Sequence, residues 1–500
     1  MERYEIEIYR FDPSIGGKES CQTHIFEFEY RPTILEILRK IRHGKDASLS
    51  FRESCGLGKC GSCAVIKNGS PVLACQTRLD PGKTTIAPLS NHAIIKDLVI
   101  DRSTYHDRMK QMRVFHAQPD YVKREQEPIN WSTTYQRLNQ CIGCLICESV
   151  CPAFEHSESE FPGPALLVQL SRTMNHPLAM GMEEHVAWID GIHNCTACMK
   201  CTKACPKDID PFRNAVISLR TAISDKALLL PRMQEGLSEQ FIKSGRLVPL
   251  KHAEWKHENI DPGSTTALFL GCMMSERYPD EGKLILDLLS AMGMQVSIPP
   301  QMVCCGGPLM WVGKTEDAIE AFNRNLNILT ASGVKEVITP CTGCSLTLKE
   351  DYFSFYRQKT GKNLSFEVVD ITEYLAEKLD RLDVTTGPLV RVVFHMPCHH
   401  GRGQELIERR LSERTAAGIE IIGRTDKCCG GMTASSNPQL ALELSVEIIE
   451  EAETTGADIL ATACIFCRDN LLRATRRRRS RIRVENISFL IAKQLRKMRP

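Results

Sequence analysis

The sequence predicts a multidomain chain of α/β and α+β type, and three observations carry that expectation. Residues 4–10 and 23–29 alternate apolar and polar as strands do, and 33–42 places apolar residues three and four apart, so the chain opens ββα and runs into closely spaced cysteines. Two further runs, Cys141-x2-Cys144-x2-Cys147-x3-Cys151-Pro152 and Cys195-x2-Cys198-x2-Cys201-x3-Cys205-Pro206, lie among helical periodicities over 163–190 and 211–245. From 265 onward a cysteine-bearing strand–helix unit occurs twice. Domains are therefore expected at 1–100, 101–250, 265–388 and 389–500, with the proline- and charge-containing stretch 250–264 as a linker.

Composition narrows the class. With 500 residues, 42% of them hydrophobic, there is material for a core in each domain. Twenty-three cysteines in a chain that starts Met1-Glu2-Arg3-Tyr4-Glu5, without an apolar leader, fit thiols kept reduced in a cytoplasm better than a disulfide scaffold. No apolar run approaches the ~18 residues of a membrane span, so direct membrane insertion is not expected. A net charge of +2 predicts no bulk affinity for nucleic acid. No complete dinucleotide or nucleoside-triphosphate fingerprint is present, so a flavin or nicotinamide would sit on another subunit.

The first cysteine set is Cys55-x4-Cys60-x2-Cys63-x11-Cys75, the plant-type [2Fe-2S] spacing, in which a glycine-rich loop lets backbone amides approach the cluster sulfurs. Within it Gly56-x-Gly58-x-x-Gly61 imitates a dinucleotide motif, but these glycines interleave with ligands and do not pass from a strand into a helix. Cys21 lies outside every motif and is expected to be a small, partly buried hydrophobe.

The second and third runs have the bacterial-ferredoxin spacing, in which three cysteines hold one cubane and the fourth reaches across to the other. That assigns Cys141, Cys144, Cys147 and Cys205 to one [4Fe-4S] cluster and Cys195, Cys198, Cys201 and Cys151 to its neighbour. A tetrahedral zinc site has no use for a third equally spaced cysteine and a fourth before proline. Paired clusters carry single electrons.

In the repeat, Cys272, Cys304-Cys305-Gly306 and Cys341-x2-Cys344 return as Cys398, Cys428-Cys429-Gly430 and Cys464-x2-Cys467. Each copy reads strand, helix, strand, cysteine pair, helix, strand, C-x2-C; strands at 267–270 and 336–339, then 390–394 and 459–461, run into the cysteines. Five thiols can then gather at the carboxyl ends of parallel strands, where open α/β sheets place ligands. Five exceed the need of one zinc or one cubane, so either an unusual multi-iron cluster forms or one thiol stays free. Gly307-x5-Gly313-Lys314-Thr315 is one residue too long for a phosphate loop. The run Arg476–Arg479, with Arg481 and Arg483, reads as a solvated helix face, with a subunit-docking patch or an anion-attracting rim as the alternative. His399 and His400 beside Cys398 read as loop packing ahead of proton transfer.

Ser50-Phe51-Arg52-Glu53-Ser54-Cys55-Gly56, Cys60-Gly61-Ser62-Cys63-Ala64-Val65, Asn68-Gly69, Leu73-Ala74-Cys75, Gly163-Pro164-Ala165 and Cys205-Pro206-Lys207-x-x-Asp210-Pro211 resemble the iron–sulfur subunit of succinate dehydrogenase and fumarate reductase. The resemblance implies a β-grasp [2Fe-2S] domain, an α-helical bis-[4Fe-4S] domain and docking on a flavoprotein that carries FAD. Two departures matter. Cys198 stands where that family usually has a non-cysteine residue, which implies a full cubane in place of a three-iron centre. Phe154-Glu155-His156 replaces the paired tryptophans that border the family's quinone site, which weighs against quinone chemistry.

From 266 onward, Gly271-Cys272, Cys304-Cys305-Gly306-Gly307-Pro308, Cys341-Thr342-Gly343-Cys344, His395-x-Pro397-Cys398-His399 and Cys428-Cys429-Gly430-Gly431 resemble the catalytic CCG-bearing chain of heterodisulfide reductase, with its tandem α/β CCG domains. The resemblance implies two non-cubane [4Fe-4S] clusters, one at Cys272, Cys304, Cys305, Cys341 and Cys344, the other at Cys398, Cys428, Cys429, Cys464 and Cys467.

The fusion as a whole resembles the iron–sulfur chain of thiol:fumarate reductases. It implies oxidation of coenzyme M and coenzyme B to their heterodisulfide at the CCG clusters, with electrons passing through the [4Fe-4S] and [2Fe-2S] clusters to the flavoprotein partner of fumarate reductase. Arg402 and Lys427 are expected to rim the cleft for these anionic thiols. The alternatives are a succinate:quinone oxidoreductase component whose CCG region docks on a membrane, and a non-catalytic electron-transfer adaptor.

Overall fold

A computed structural model describes the chain except for residues 113–131, 157–159, 178, 180, 227–231, 250–254, 380–388, 400, 414–417 and 497–500. Two compact units emerge, Met1–Cys195 with Met199–Ile223 and Thr196–Cys198 with Ser224–Pro500. Among the described residues no helix is long and apolar enough to cross a membrane.

The first unit begins with β1 (Glu2–Arg10) and β2 (Ser20–Phe28), paired antiparallel. Tyr4, Ile6 and Ile8 point alternately inward and are fully buried, the period of two expected of a strand with one wet face. Helix α1 (Ile34–Gly44) starts in a capping box of Thr33 and Glu36 and buries Ile34, Leu35, Ile37, Leu38 and Ile41. With β3 (Ala64–Lys67), β4 (Ser70–Leu73) and β5 (Gly82–Ala87) the sheet has the order β2-β1-β5-β3-β4, β5 running parallel to β1. A small hairpin of β6 (Ile94–Lys96) and β7 (Val99–Ile100) follows. One expectation fails here: Cys21 is exposed, because it lies on the edge strand β2 in the phase opposite to buried His24 and Phe28.

The rest of this unit is helical: α2 (Ser103–Gln111), α3 (Thr133–Leu138), α4 (Ile146–Ser149), α5 (Pro152–His156), α6 (Pro164–Met174), α7 (Glu183–Ile189), α8 (Lys200–Ala204) and α9 (Ser218–Asp225). Helix α6 is buried from Pro164 through Ser171, as a segment apolar nearly all round must be. The periodic stretch 163–190 is two helices, not one, since Pro177 disfavours helical geometry at His176 before it. A π-helical stretch, Phe212–Ile217, leads into α9, and the Ser171 hydroxyl donates to the Asn214 carbonyl at 2.8 Å.

The second unit holds α10 (Arg232–Ser244) and both copies of the repeat. In the first copy, β8 (Thr266–Leu268), α11 (Gly271–Glu276), α12 (Pro279–Ala291), α13 (Gly307–Trp311), α14 (Thr315–Ala331), β9 (Glu336–Thr339), α15 (Thr342–Leu346), α16 (Tyr352–Thr360), β10 (Glu367–Asp370) and α17 (Ile371–Lys378) build a parallel sheet of order β10-β9-β8. In the second, β11 (Val390–His395), α18 (Arg402–Glu413), β12 (Ile419–Thr425), α19 (Pro438–Thr454), β13 (Ile459–Thr462), α20 (Ile465–Arg478), β14 (Arg483–Asn486) and α21 (Ile487–Arg496) build one of order β12-β11-β13-β14. The strand expected before Cys304 shrinks to two bridges at Val296 and Ser297. Pro299 and Pro300 follow at once, and proline has no N–H to continue a ladder. Each copy also ends in a parallel strand, β10 or β14, that the sequence pattern did not single out.

Candidate cluster-binding sites

The Cys55–Cys75 loop wraps its sulfurs in backbone donors. The amides of Leu57 and Lys59 each reach Cys55 Sγ at 3.3 Å, and that of Gly58 reaches Cys75 Sγ at 3.3 Å. Such bends need left-handed backbone, and Gly56, Gly58 and Gly61 sit at φ of 66°, 66° and 70°. These glycines therefore serve the cysteine loop, not a dinucleotide turn. At Gly61 even a methyl group is excluded: a Cβ would lie 2.7 Å from the Ile142 carbonyl oxygen and 2.9 Å from Cys144 Cα. The loop thus lies flush against the Ile142–Cys144 segment. The Ser62 hydroxyl, 3.1 Å from Cys60 Sγ, leads the interactions that bring the Cys60 thiol down to about 6, whereas burial pushes Cys63 up to about 12.

The two ferredoxin-type runs share one backbone despite different side chains. Gly143 and Leu145 flank Cys144 at φ of 56° and 66°; Ala197 and Met199 flank Cys198 at 54° and 58°. Left-handed geometry costs an L-residue about 1–2 kcal/mol, so three such non-glycine positions mark a conformation imposed by the site. Cys141 and Cys205, from different runs, pack on one apolar cluster of Leu138, Val168, Ile209 and Ala215. Burial raises Cys144 to about 11 and Cys147 well above the ordinary thiol value. Cys195, Cys201 and Cys205 belong to the first unit and Cys198 to the second. Phe154, where the quinone-site tryptophans are missing, is buried with its ring 5.9 Å from that of His92.

In the repeat, all ten cysteines lie beyond the carboxyl ends of parallel strands or of the bridged segment, and all but half-buried Cys398 are buried. Their thiols form a nearly continuous chain. Cys272 Sγ stands 3.8 Å from Cys304 Sγ. Cys305 lies in hydrogen-bonding reach of Cys304 and Cys344, and Cys341 of Cys344 and Cys464, which holds Cys305 and Cys341 low; Cys304, against Cys272 and Cys305, and Cys344, against Cys305 and Cys341, are raised. Cys467 donates to Cys429, and Cys428 is in reach of Cys398. The two copies therefore meet at Cys341 and Cys464. Thr342 Oγ1 donates to the Ala463 carbonyl at 3.0 Å in the same place, and the Trp311 and His399 rings pack edge-on at 4.7 Å.

Local backbone explains the motif. Gly306 and Gly430 adopt φ of 82° and 69°, and a Cβ would meet Phe322 at 2.8 Å or Ala441 Cα at 2.9 Å. Their amides donate to Cys304 and Cys428 Sγ, both at 3.4 Å. Cys341 and Cys464 are the N-caps of α15 and α20; hydrogen bonding with Cys344 and Cys464 holds Cys341 low, whereas the contact with Cys341 raises Cys464. Gly307 opens the short α13, and no strand-to-helix phosphate cradle forms. Among the described residues no group of three or more His, Cys, Asp or Glu side chains is disposed to hold a single metal ion. Clustered thiols with backbone amides aimed at sulfur suit iron–sulfur clusters, so the residues present fit that group.

Several supporting residues escaped the sequence reading. Fully buried Asn325 accepts from the Val303 amide at 2.8 Å and donates to the carbonyls of Val303 and Cys304 and to the Tyr352 hydroxyl at 2.9–3.3 Å. Asn470 donates to the carbonyls of Cys429 and Ala441. Buried His395 bridges Thr462 Oγ1 and the Lys427 carbonyl, both at 3.0 Å, two residues before Cys464 and one before Cys428. Phe269 occupies the corresponding place in the first copy, and Thr339 there keeps a buried hydroxyl without a hydrogen bond. The available signal for Asn325 was a polar side chain on the apolar stripe Ala318–Ala321–Phe322–Leu326 of α14. An Asn325→Ala variant is expected to unfold at lower urea, because each buried polar group left unpaired costs about 1–3 kcal/mol; an unchanged midpoint would remove Asn325 from this role.

Other expectations need correction. Lys427 lies exposed between Glu447 and Glu451, 3.8 and 3.7 Å away, so its charge is offset by carboxylates instead of standing ready for an anion. The Arg402 side chain and all of His400 lie outside the described residues. His399 donates through Nε2 to the Ala197 carbonyl at 2.7 Å, a packing role. Arg476–Arg479 are exposed at the end of α20, Arg478 pairing with Glu450 and Glu453, as a solvated face requires.

Three family models match: a 2Fe-2S iron–sulfur cluster binding domain over residues 5–107, a 4Fe-4S dicluster domain over 137–209, and a cysteine-rich domain over 266–349 and 392–471. An uncharacterized iron–sulfur protein of Methanocaldococcus jannaschii is 33% identical, over 98% of this chain and 99% of its own length. The B chain of the fumarate reductase (CoM/CoB) of Methanothermobacter marburgensis is 30% identical over 92% of this chain and 93% of its own. A mitochondrial succinate dehydrogenase iron–sulfur subunit of Candida glabrata is 31% identical over 41% of this chain and 86% of its own.

Proposed function

Since this chain belongs to the family of the fumarate reductase (CoM/CoB) B chain, we propose that it is the iron–sulfur component of a thiol:fumarate reductase. In this reading it oxidises coenzyme M and coenzyme B to their heterodisulfide and delivers the electrons to a flavoprotein partner whose FAD reduces fumarate to succinate. The balance closes: two S–H bonds give way to one S–S bond, releasing two electrons and two protons, and fumarate takes up both.

The meeting of the two cysteine-rich copies at Cys341 and Cys464 supports this reading, because joining two different thiols calls for two sulfur-binding sites side by side. Cys272, Cys304, Cys305, Cys341 and Cys344 would hold one non-cubane cluster, and Cys398, Cys428, Cys429, Cys464 and Cys467 the other. Cys141, Cys144, Cys147 and Cys205, and Cys195, Cys198, Cys201 and Cys151, would hold the two cubanes; Cys55, Cys60, Cys63 and Cys75 would hold the [2Fe-2S] cluster. When bound, these clusters supply one-electron transfer and keep a coordinated substrate thiol deprotonated. The chain's own part is to keep the thiols from water, to aim the Gly306 and Gly430 amides at sulfur, and to set Cys341 and Cys464 at the starts of α15 and α20. Because the free thiols hold their protons by mutual donation and burial, loading with iron should release protons. The β-grasp, bis-cubane and tandem α/β division at 1–100, 101–250, 265–388 and 389–500 belongs to the same reading.

Metal analysis tests it directly. The reading calls for about eighteen irons per chain, from one two-iron and four four-iron centres. About ten irons with zinc in the balance would replace it with a structural role for the repeat.

A further inference from the structure

Arg220 on α9 is a charged side chain with 2% of its surface exposed. Its Nη2 donates to two backbone carbonyls, Ile192 at 2.9 Å and Cys195 at 3.1 Å, closing the turn that delivers the first cysteine of the 195–205 run. A guanidinium keeps its proton in proteins, so this is a fixed positive charge. Taking such a charge out of water costs several kcal/mol unless opposite charge compensates it.

We infer that Arg220 is a potential-setting residue for the cubane held through Cys195, stabilising that cluster's reduced state. The inference rests on the cubane reading of Cys151, Cys195, Cys198 and Cys201. Four thiolates around a [4Fe-4S] core leave a net negative charge, and reduction adds one more. The added electron is held more firmly where a buried cation lies beside a ligand's backbone, since water there does not screen the attraction. Burial, charge and attachment to the Cys195 carbonyl make Arg220 fit for that task. A polar neutral side chain could make the same hydrogen bonds without a buried charge. Because Cys198 completes a four-iron centre, such a cation would lift a potential that the fourth cysteine otherwise keeps low.

The test is a redox titration followed by electron paramagnetic resonance on the whole complex, comparing wild type with Arg220→Gln, Arg220→Met and Arg220→Lys. In the neutral variants the reduced-to-oxidised ratio of this cubane at a fixed potential should fall about tenfold, a shift of ~59 mV for a one-electron centre. The Cys141–Cys144–Cys147 cubane should move less, and Arg220→Lys should stay near wild type. A neutral variant with full iron content and an unmoved midpoint overturns the inference, as does an Arg220→Lys variant that shifts as far as the neutral ones. If both neutral variants lose the cluster, retention of cluster and midpoint by Arg220→Lys supports the role of charge, and loss there as well makes Arg220 purely structural. Absence of a second cubane signal from wild type would instead remove the cubane reading itself.

Discussion

Replacing Cys305 or Cys429 with serine is expected to abolish thiol-dependent fumarate reduction by the complex while leaving fumarate reduction driven by an artificial dye largely intact. Each residue sits inside its copy's thiol chain, Cys305 between Cys304 and Cys344 and Cys429 against Cys467, and each is buried. Serine nearly keeps the shape but supplies an oxygen that remains protonated where iron needs thiolate. The lesion should therefore stay in the copy that carries it. Electrons offered by a dye to the flavoprotein partner bypass the repeat altogether. Two single variants, assayed with both donors, decide the matter: thiol-linked turnover surviving in both would leave the cysteine pairs without a part in thiol chemistry. Equal loss of both activities would point to a fault in assembly, which iron content and sedimentation can identify.

What was legible in the sequence is what local chemistry dictates. The cysteine spacings, the glycines at left-handed positions and the strands that run into Cys341, Cys398 and Cys464 are all short-range patterns, and the structure places each strand within a residue or two of its expected span. Pro299 and Pro300 were visible too, but the strand before Cys304 was expected regardless of them, and their missing N–H groups account for its loss. Contacts between distant segments were not legible. His395 matters because it reaches Lys427 and Thr462, and Asn325 because it reaches back to Val303 and Cys304; neither pairing leaves a periodic trace. Lys427 was misjudged for the same reason, since its partners lie one helix later on α19. Cys21 is a different case, where strand phase was available and outweighed the usual preference of cysteine for the interior.

The contact at Gly61 gives the other large effect. A Gly61→Ala variant faces two penalties, about 1–2 kcal/mol for an L-residue in left-handed backbone and about 1–3 kcal/mol for overpacking against Ile142 and Cys144. Gly56 supplies the matched control within the same loop: its φ of 66° is nearly the same as the 70° of Gly61, yet a Cβ there meets nothing within 4 Å. Gly56→Ala should thus show the backbone penalty alone, and the difference between the two variants isolates the packing of one cysteine loop on the other. Against a domain stability of about 5–15 kcal/mol the summed loss is large. Chemical unfolding is expected to rank wild type, Gly56→Ala and Gly61→Ala in falling order, with thiol-driven fumarate reduction lowest in Gly61→Ala. Because electron transfer weakens steeply with distance, pushing the Cys55–Cys75 loop off the Ile142–Cys144 segment should slow passage between their centres even in molecules that remain folded. Equal stability and equal activity of the two variants would mean that the close approach at Gly61 is not maintained in solution, and the route from cubane to [2Fe-2S] centre would have to run elsewhere.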